Sequence, residues 1–115
     1  MAGSDSLREK VDVLKACVII PTYNNAATLA GVIEDVAQYS EHIIVVNDGS
    51  SDNTVDIVNN FPTVQFISYP ENVGKGWALR KAFAYALAKG YQYAITIDSD
   101  GQHFAKDLPL FFEKV

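Results

Sequence analysis

The residues with the greatest chemical reach lie near the end of the chain, in Asp98-Ser99-Asp100-Gly101-Gln102-His103. Two carboxylates two residues apart, with the Gln102 amide two further on, follow the apolar run Tyr93-Ala94-Ile95-Thr96-Ile97. In an extended segment that spacing aims three oxygen donors to one side, and hard oxygen donors suit Mg2+ or Mn2+. The same residues would also make a plain polar turn. His103 is a candidate for contacting a ligand phosphate or orienting a metal ligand, the alternative being an exposed histidine after a turn.

Two other places carry chemistry. Asp48 ends the apolar run 43–46 extended by Asn47, and Gly49 after it permits a sharp turn. A carboxylate there either accepts two donors from a nucleobase or ribose, or caps the next helix from a distance; Asp52 is the better helix cap. Lys75 sits between Gly74 and Gly76 and is the first cation after a stretch, 16–74, that holds none. That stretch contains Glu34, Asp35, Glu41, Asp48, Asp52, Asp56 and Glu71. An anion held there needs backbone N–H groups, a metal ion or a cation from elsewhere. Flanking glycines allow close backbone approach at Lys75, and a helix N-terminus favours anions; the alternative is a solvated loop lysine.

Neither G-x-x-x-x-G-K-[S/T] nor a G-x-G-x-x-G after the first apolar run is present, which argues against a P-loop and a dinucleotide cofactor. Cys17 is the single cysteine and lies in an apolar run, so it reads as a buried inert thiol, with neither a disulfide framework nor a cysteine metal site. His42 reads as structural.

These residues must be positioned by alternating elements. Runs at 16–20, 42–47, 64–69 and 91–98 are short and β-rich, several of them apolar on both faces as in strands covered on two sides. Between them the spacing predicts three helices. The first is capped near Asn24 or Asn25 and buries Leu29, Val32, Ile33 and Val36. The second starts near Ser51 or Asp52, carries Val55, Val58 and Phe61, and stops at Pro62. The third follows Asn72-Val73-Gly74, turns Leu79, Phe83, Ala86 and Leu87 inward, and ends at Lys89-Gly90. The expected fold class is α/β, a Rossmann-like open sheet of about four parallel strands with helices on both faces. In such sheets ligands bind beyond the carboxyl ends of the strands. Those ends are Pro21-Thr22-Tyr23-Asn24, the segment 47–52, and the segment 98–103.

Composition limits the rest. With 115 residues, 49% hydrophobic and 20% charged, the chain is expected to form one compact domain at most. Residues 1–15 read as a tail and a short helix, and 16–115 as the body. A formal charge of −5 lacks the footprint of a nucleic-acid binder. No apolar run approaches the ~18 residues of a membrane span, and the polar start lacks a signal-peptide core. The expected location is the cytoplasm, the inner face of a membrane included. The segment 106–115 has helix-like spacing at Leu108, Phe111 and Phe112 and stops without a cap, which suggests a cut inside a larger domain.

Taken in order, Pro21-Thr-Tyr-Asn, Val46-Asn-Asp-Gly-Ser-Ser-Asp, Asn72-Val-Gly-Lys-Gly-Trp-Ala-Leu-Arg and Asp98-Ser-Asp-Gly-Gln-His resemble the family-2 glycosyltransferases of GT-A fold. The form of the last motif is similar to that of the polyprenyl-phosphate sugar transferases, the dolichyl-phosphate type included. The resemblance implies a metal-dependent, inverting transferase with a UDP- or GDP-sugar donor and a polyprenyl phosphate or glycan acceptor. It implies that Pro21, Thr22 and Tyr23 border the nucleotide, that Asp48 bonds base or ribose, and that Lys75 lies near the nucleotide. Asp98 would approach the ribose or the metal, with Asp100 and Gln102 helping to hold Mg2+ or Mn2+ on the diphosphate. Asn47 stands where an Asp-Asp pair is usual, and Asn25 where Glu is frequent.

The family's base and acceptor residues follow the D-x-D strand, so the catalytic base is expected beyond Val115 and the chain is expected to supply donor and metal binding. An apolar face left by a missing half would favour self-association. Two other readings stand beside this one. A non-catalytic nucleotide-binding or interaction domain accounts for the fold but not for the polar strand ends. A haloacid-dehalogenase-type phosphatase also uses Asp-x-Asp-Gly, but on its first strand.

Overall fold

The structure, a computed structural model, describes residues 15–100. The expected N-terminal helix, Gln102, His103 and the segment 106–115 lie outside the described residues. Seven elements alternate: β1 (Ala16–Thr22), α1 (Ala26–Ala37), β2 (Ile43–Asp48), α2 (Thr54–Asn59), β3 (Gln65–Tyr69), α3 (Lys75–Ala88) and β4 (Tyr93–Thr96). All strand pairs are parallel, and the sheet order is β3-β2-β1-β4. The expected open α/β sheet is therefore what forms.

β1 and β2 are buried at every position, which explains their continuous apolar runs. Their two faces feed two cores. Val18, Ile20 and Val45 pack under Leu29, Val32, Ile33 and Val36 of α1, with Val58 of α2. Cys17, Ile19, Ile44 and Val46 pack under α3. Each fully buried Ile, Leu or Val contributes about 1.5–3 kcal/mol relative to exposure. Burial also pushes the Cys17 thiol up to about 11, which keeps it protonated and inert.

Two expected faces differ in the structure. α3 lays Ala78, Ala82 and Ala86 on the sheet, while Phe83 and Leu87 stand 45% and 77% exposed. Alanines one turn apart let the helix axis approach β1 and β2 closely, so the inward stripe is the small one, and Leu79 only joins its edge. In α2, Thr54 is fully buried where Val55 was expected, and Val55 is exposed. The Thr54 hydroxyl is tied to Asp52, which turns the first residue of α2 inward.

The sheet opens at the carboxyl end between β1 and β4. Ile97 N–H donates to the Ile19 carbonyl just after β4 has ended at Thr96. Pro21, two residues on, would direct its backbone nitrogen to the same side, and it has no N–H to leave unpaired. The chain thus places a proline where its neighbour departs. Sequence order also reverses direction between β1 and β4, so this gap is the switch point of the sheet.

Gly49 marks the other tight place. Its φ is +69°, and a Cβ there would lie 2.3 Å from Asn72 N and from Glu71 C. Gly49→Ala is expected to destabilise the fold by roughly 3 kcal/mol, from left-handed strain plus displacement of the 71–72 backbone. Gly31→Ala, in α1 with nothing within 4 Å, is expected to stabilise by about 0.5–1 kcal/mol. Paired thermal melts check both, and equal effects at the two sites would contradict this account of the loop.

Candidate functional site

The gap at the carboxyl ends is a cleft of about 300 Å³, at the lower end of the size of small-molecule sites. Its walls are the end of β1 with Tyr23 and Asn25, the Asp48 position, the start of α3 with Gly74, Lys75 and Ala78, and the turn 98–100. Pro21, Thr22, Tyr23, Asp48, Lys75, Asp98 and Asp100, seven of the expected site residues, all line it. Residues separated by up to 79 positions meet because four parallel strands end on one side.

Asp98 and Asp100 do not continue β4 as an extended run. The strand stops at Thr96, and 99–100 form a turn. Lys75 Nζ lies 2.6 Å from Asp98 Oδ1, bridging the start of α3 to that turn across the cleft. Among the described residues no three or more His, Cys, Asp or Glu side chains cluster as a metal set. The oxygen groups that the described part of this segment could offer an ion are the Asp98 and Asp100 carboxylates, a pair that would suit Mg2+ or Mn2+ with water and ligand oxygens completing the shell.

Asp48 is 4% exposed and densely bonded. Its Oδ1 accepts from Tyr69 Oη (2.7 Å) and Val73 N–H (3.0 Å), and its Oδ2 from Asn72 Nδ2 (2.8 Å) and Gly74 N–H (2.8 Å). A carboxylate offers about four lone-pair positions, so this one is filled by the chain itself. Burial alone would raise its pKa, but the bonds from Tyr69, Val73 and Gly74 outweigh burial and hold it below the ordinary value. The Tyr69 hydroxyl is pushed up in turn, by burial and by bonding to that charge. Asp48 thus fixes the segment 72–74, which delivers Lys75 to the cleft.

Asp52 acts as a cap, as expected, but on two helices. One oxygen accepts from the N–H and hydroxyl of Thr54 at the start of α2, the other from Ala26 N–H at the start of α1. Asn24, at a φ of +53° that Asn tolerates, accepts from Ser51 N–H and donates its own N–H to Ser50 Oγ. Asn47 holds the same loop by accepting from Ser50 N–H while donating to Ser68 Oγ.

Sequence reasoning passed over Ser99 and Thr28 as functional residues. Ser99 is 2% exposed between its two carboxylate neighbours. Asn25 Nδ2 donates to its Oγ at 3.0 Å, and Thr28 Oγ1 donates to its carbonyl. The one available signal is a small polar residue between two acids, which does not reveal a partner more than 70 positions away.

Thr22 Oγ1 is buried at the cleft wall with no hydrogen-bond partner among the described residues. An unsatisfied buried hydroxyl costs about 1–3 kcal/mol. Thr22→Val is therefore expected to leave the unliganded chain as stable or about 1 kcal/mol more stable, measured by denaturant titration. A loss exceeding 1 kcal/mol would show that the hydroxyl is satisfied in the folded chain.

The sequence pattern of Glycosyl transferase family 2 matches residues 17–115. A dolichyl-phosphate beta-glucosyltransferase of Trichomonas vaginalis is 32% identical over 98 residues, 72% of this chain and 28% of its own. An undecaprenyl-phosphate mannosyltransferase of Micrococcus luteus is 31% identical over 109 residues, 89% of this chain and 44% of its own. Among solved structures, a glucosyl-3-phosphoglycerate synthase of Mycobacterium tuberculosis, crystallised with Mn2+, UDP and glucosyl-3-phosphoglycerate, superposes with a TM-score of 0.73. It is 24% identical, over 92% of this chain and 41% of the synthase, and so speaks to the fold alone. The chain spans less than half the length of each of these relatives.

Proposed function

The chain belongs to glycosyl transferase family 2, and from that membership we propose that its cleft binds a nucleoside-diphosphate sugar, UDP- or GDP-linked, together with Mg2+ or Mn2+. Residues 16–115 are read as the donor- and metal-binding part of a GT-A domain, and 1–15 as a preceding tail and short helix. The observation that carries this reading is the meeting of Pro21–Tyr23, Lys75, Asp98 and Asp100 in one cleft at the switch point of the sheet.

Each residue has a task in this reading. Tyr23, half exposed, offers a ring to the nucleotide, and Pro21 and Thr22 line the cleft beside it. Asp98 and Asp100, with Gln102, hold the divalent ion. When bound, that ion neutralises the diphosphate and serves as Lewis acid for its departure. Lys75 balances Asp98 before the ligand enters and can turn to a phosphate oxygen once the carboxylate has another cation to face. Asp48 bonds the base or ribose only by sharing oxygens already committed to the 72–74 segment, so its main contribution is to hold that wall.

The transfer is proposed as inverting, by direct displacement at the anomeric carbon. An acceptor polyprenyl phosphate is largely ionised near neutral pH, with a second pKa of about 6, and needs little help from a base; a glycan hydroxyl needs one. No helix among the described residues is long and apolar enough to cross a membrane. The proposed place of work is the cytoplasm, with a lipid acceptor met at the inner face of a membrane.

Titration calorimetry of the chain with UDP and with GDP, each with Mn2+ and with EDTA, tests the reading. Saturable binding of at least one nucleotide, weakened tenfold or more by EDTA, is expected; tenfold corresponds to about 1.4 kcal/mol. Absence of binding by both nucleotides in Mn2+ would overturn it.

A further inference from the structure

We propose that Ser99, clamped by Asn25 and Thr28, is a positioning residue that sets the separation and direction of the Asp98 and Asp100 carboxylates; this rests on the metal-binding reading above. Two acids that flank a single residue repel each other, so their spacing depends on how the residue between them is held. Here the residue between them is buried and held on both its side chain and its carbonyl. Asn25 Nδ2 reaches the Ser99 hydroxyl at 3.0 Å, and the single Thr28 hydroxyl proton is directed mainly at the Ser99 carbonyl, with the Asn25 carbonyl the longer, secondary acceptor.

The use of Asn25 is informative. It occupies the N-cap of α1, where an Asn side chain ordinarily accepts a backbone N–H of the first turn, yet it makes no such bond. Its amide is directed at Ser99 instead, and Asp52 from the β2–α2 loop accepts the Ala26 N–H. The same first turn is joined to that loop through Asn24, Ser50 and Ser51. The start of α1 is therefore a brace between two strand ends, with the acidic turn fixed to one side of it. A chelating pair needs its donors held to within about half an ångström, which a free turn does not provide.

The test uses the full chain carrying Asn25→Ala and Thr28→Val together, with Thr28→Ser and Ser99→Ala beside it. Amide hydrogen exchange at Ser99 and Asp100 in the nucleotide-free chain is expected to accelerate at least tenfold in the double variant, while amides of β2 keep their protection. Mn2+ uptake in the presence of UDP or GDP, followed by loss of the free-ion EPR signal, is expected to weaken five- to tenfold in the double variant. Ser99→Ala, which keeps the Thr28 bond to the carbonyl, should lose less, and Thr28→Ser should match the wild type. Exchange and Mn2+ uptake within twofold of wild type in the double variant would overturn the brace. Failure of the wild-type chain to take up Mn2+ with either nucleotide would overturn the donor-site reading, and the metal-positioning role with it.

Discussion

Asp48→Asn is expected to cost about 3 kcal/mol and to lower the thermal midpoint by roughly 10 °C, a large effect for a residue at a cleft wall. The four donors converging on Asp48 leave an asparagine amide no good orientation. With its NH2 toward Val73 it faces a backbone N–H, and with its NH2 toward Gly74 it faces that N–H and the Asn72 amide. Either way at least one buried donor loses its acceptor, and the charge that strengthened the others is gone. Tyr69→Phe, which removes one donor and leaves three, should cost about 1 kcal/mol.

The same variant carries a pH signature. The Asp48 pKa is depressed in the folded chain, so the stability it provides is complete above its ordinary value of 3.8 and is lost as pH falls from there through the lower folded value. Wild type and D48N should therefore differ most near neutrality and converge in acid. Asp52 is depressed in the same direction, its bonds from Thr54 and Ala26 outweighing burial, and it leaves a residual acid limb in both proteins. A difference that stays constant down to strongly acidic pH would contradict the ionised network.

The second large effect is functional. Asp100→Ala is expected to weaken Mn2+-dependent nucleotide binding by about 100-fold or more, since even partners outside the coordination shell are worth 10–100-fold. Asp100 is exposed, so stability should change by less than about 0.5 kcal/mol. Asp98→Asn should also weaken binding, but less simply, because it releases Lys75 as well. If Asp100→Ala leaves the Mn2+-dependent gain in affinity unchanged, the metal is not held at this turn.

Much of this was legible in the residue order. Four β-rich runs separated by capped, periodic segments specify a parallel sheet, and parallel strands bring their carboxyl ends to one side whatever the packing details. That is why Pro21, Lys75 and Asp98 meet. The side-chain partners were less legible because they depend on register and on turns that periodicity does not encode. Asp48 lies directly beside Tyr69 in the β2–β3 register, and the 72–74 segment closes over it only because Gly49 has no Cβ. From sequence it reads equally as a ligand for a base.

The same limit applies to the inward face of α3 and to the start of α1. α3 carries two apolar stripes, one of alanines and one of Leu79, Phe83 and Leu87, and close packing on β1 and β2 selects the smaller. Asn25 reads as a cap because caps are what Asn usually makes at that position, whereas its partner, Ser99, is 74 residues away.

The central claim is that the carboxyl-end cleft holds a nucleoside diphosphate and a divalent ion together. Paramagnetic broadening of backbone amide signals by substoichiometric Mn2+, recorded with and without UDP or GDP, locates both in one measurement. The account predicts nucleotide-dependent broadening centred on Ser99 and Asp100 and reaching Tyr23 and the 73–75 segment, with the amino end of the sheet, where His42 and Tyr91 meet just before β2 and β4, unaffected. Broadening centred anywhere else, or none in the presence of either nucleotide, would contradict it.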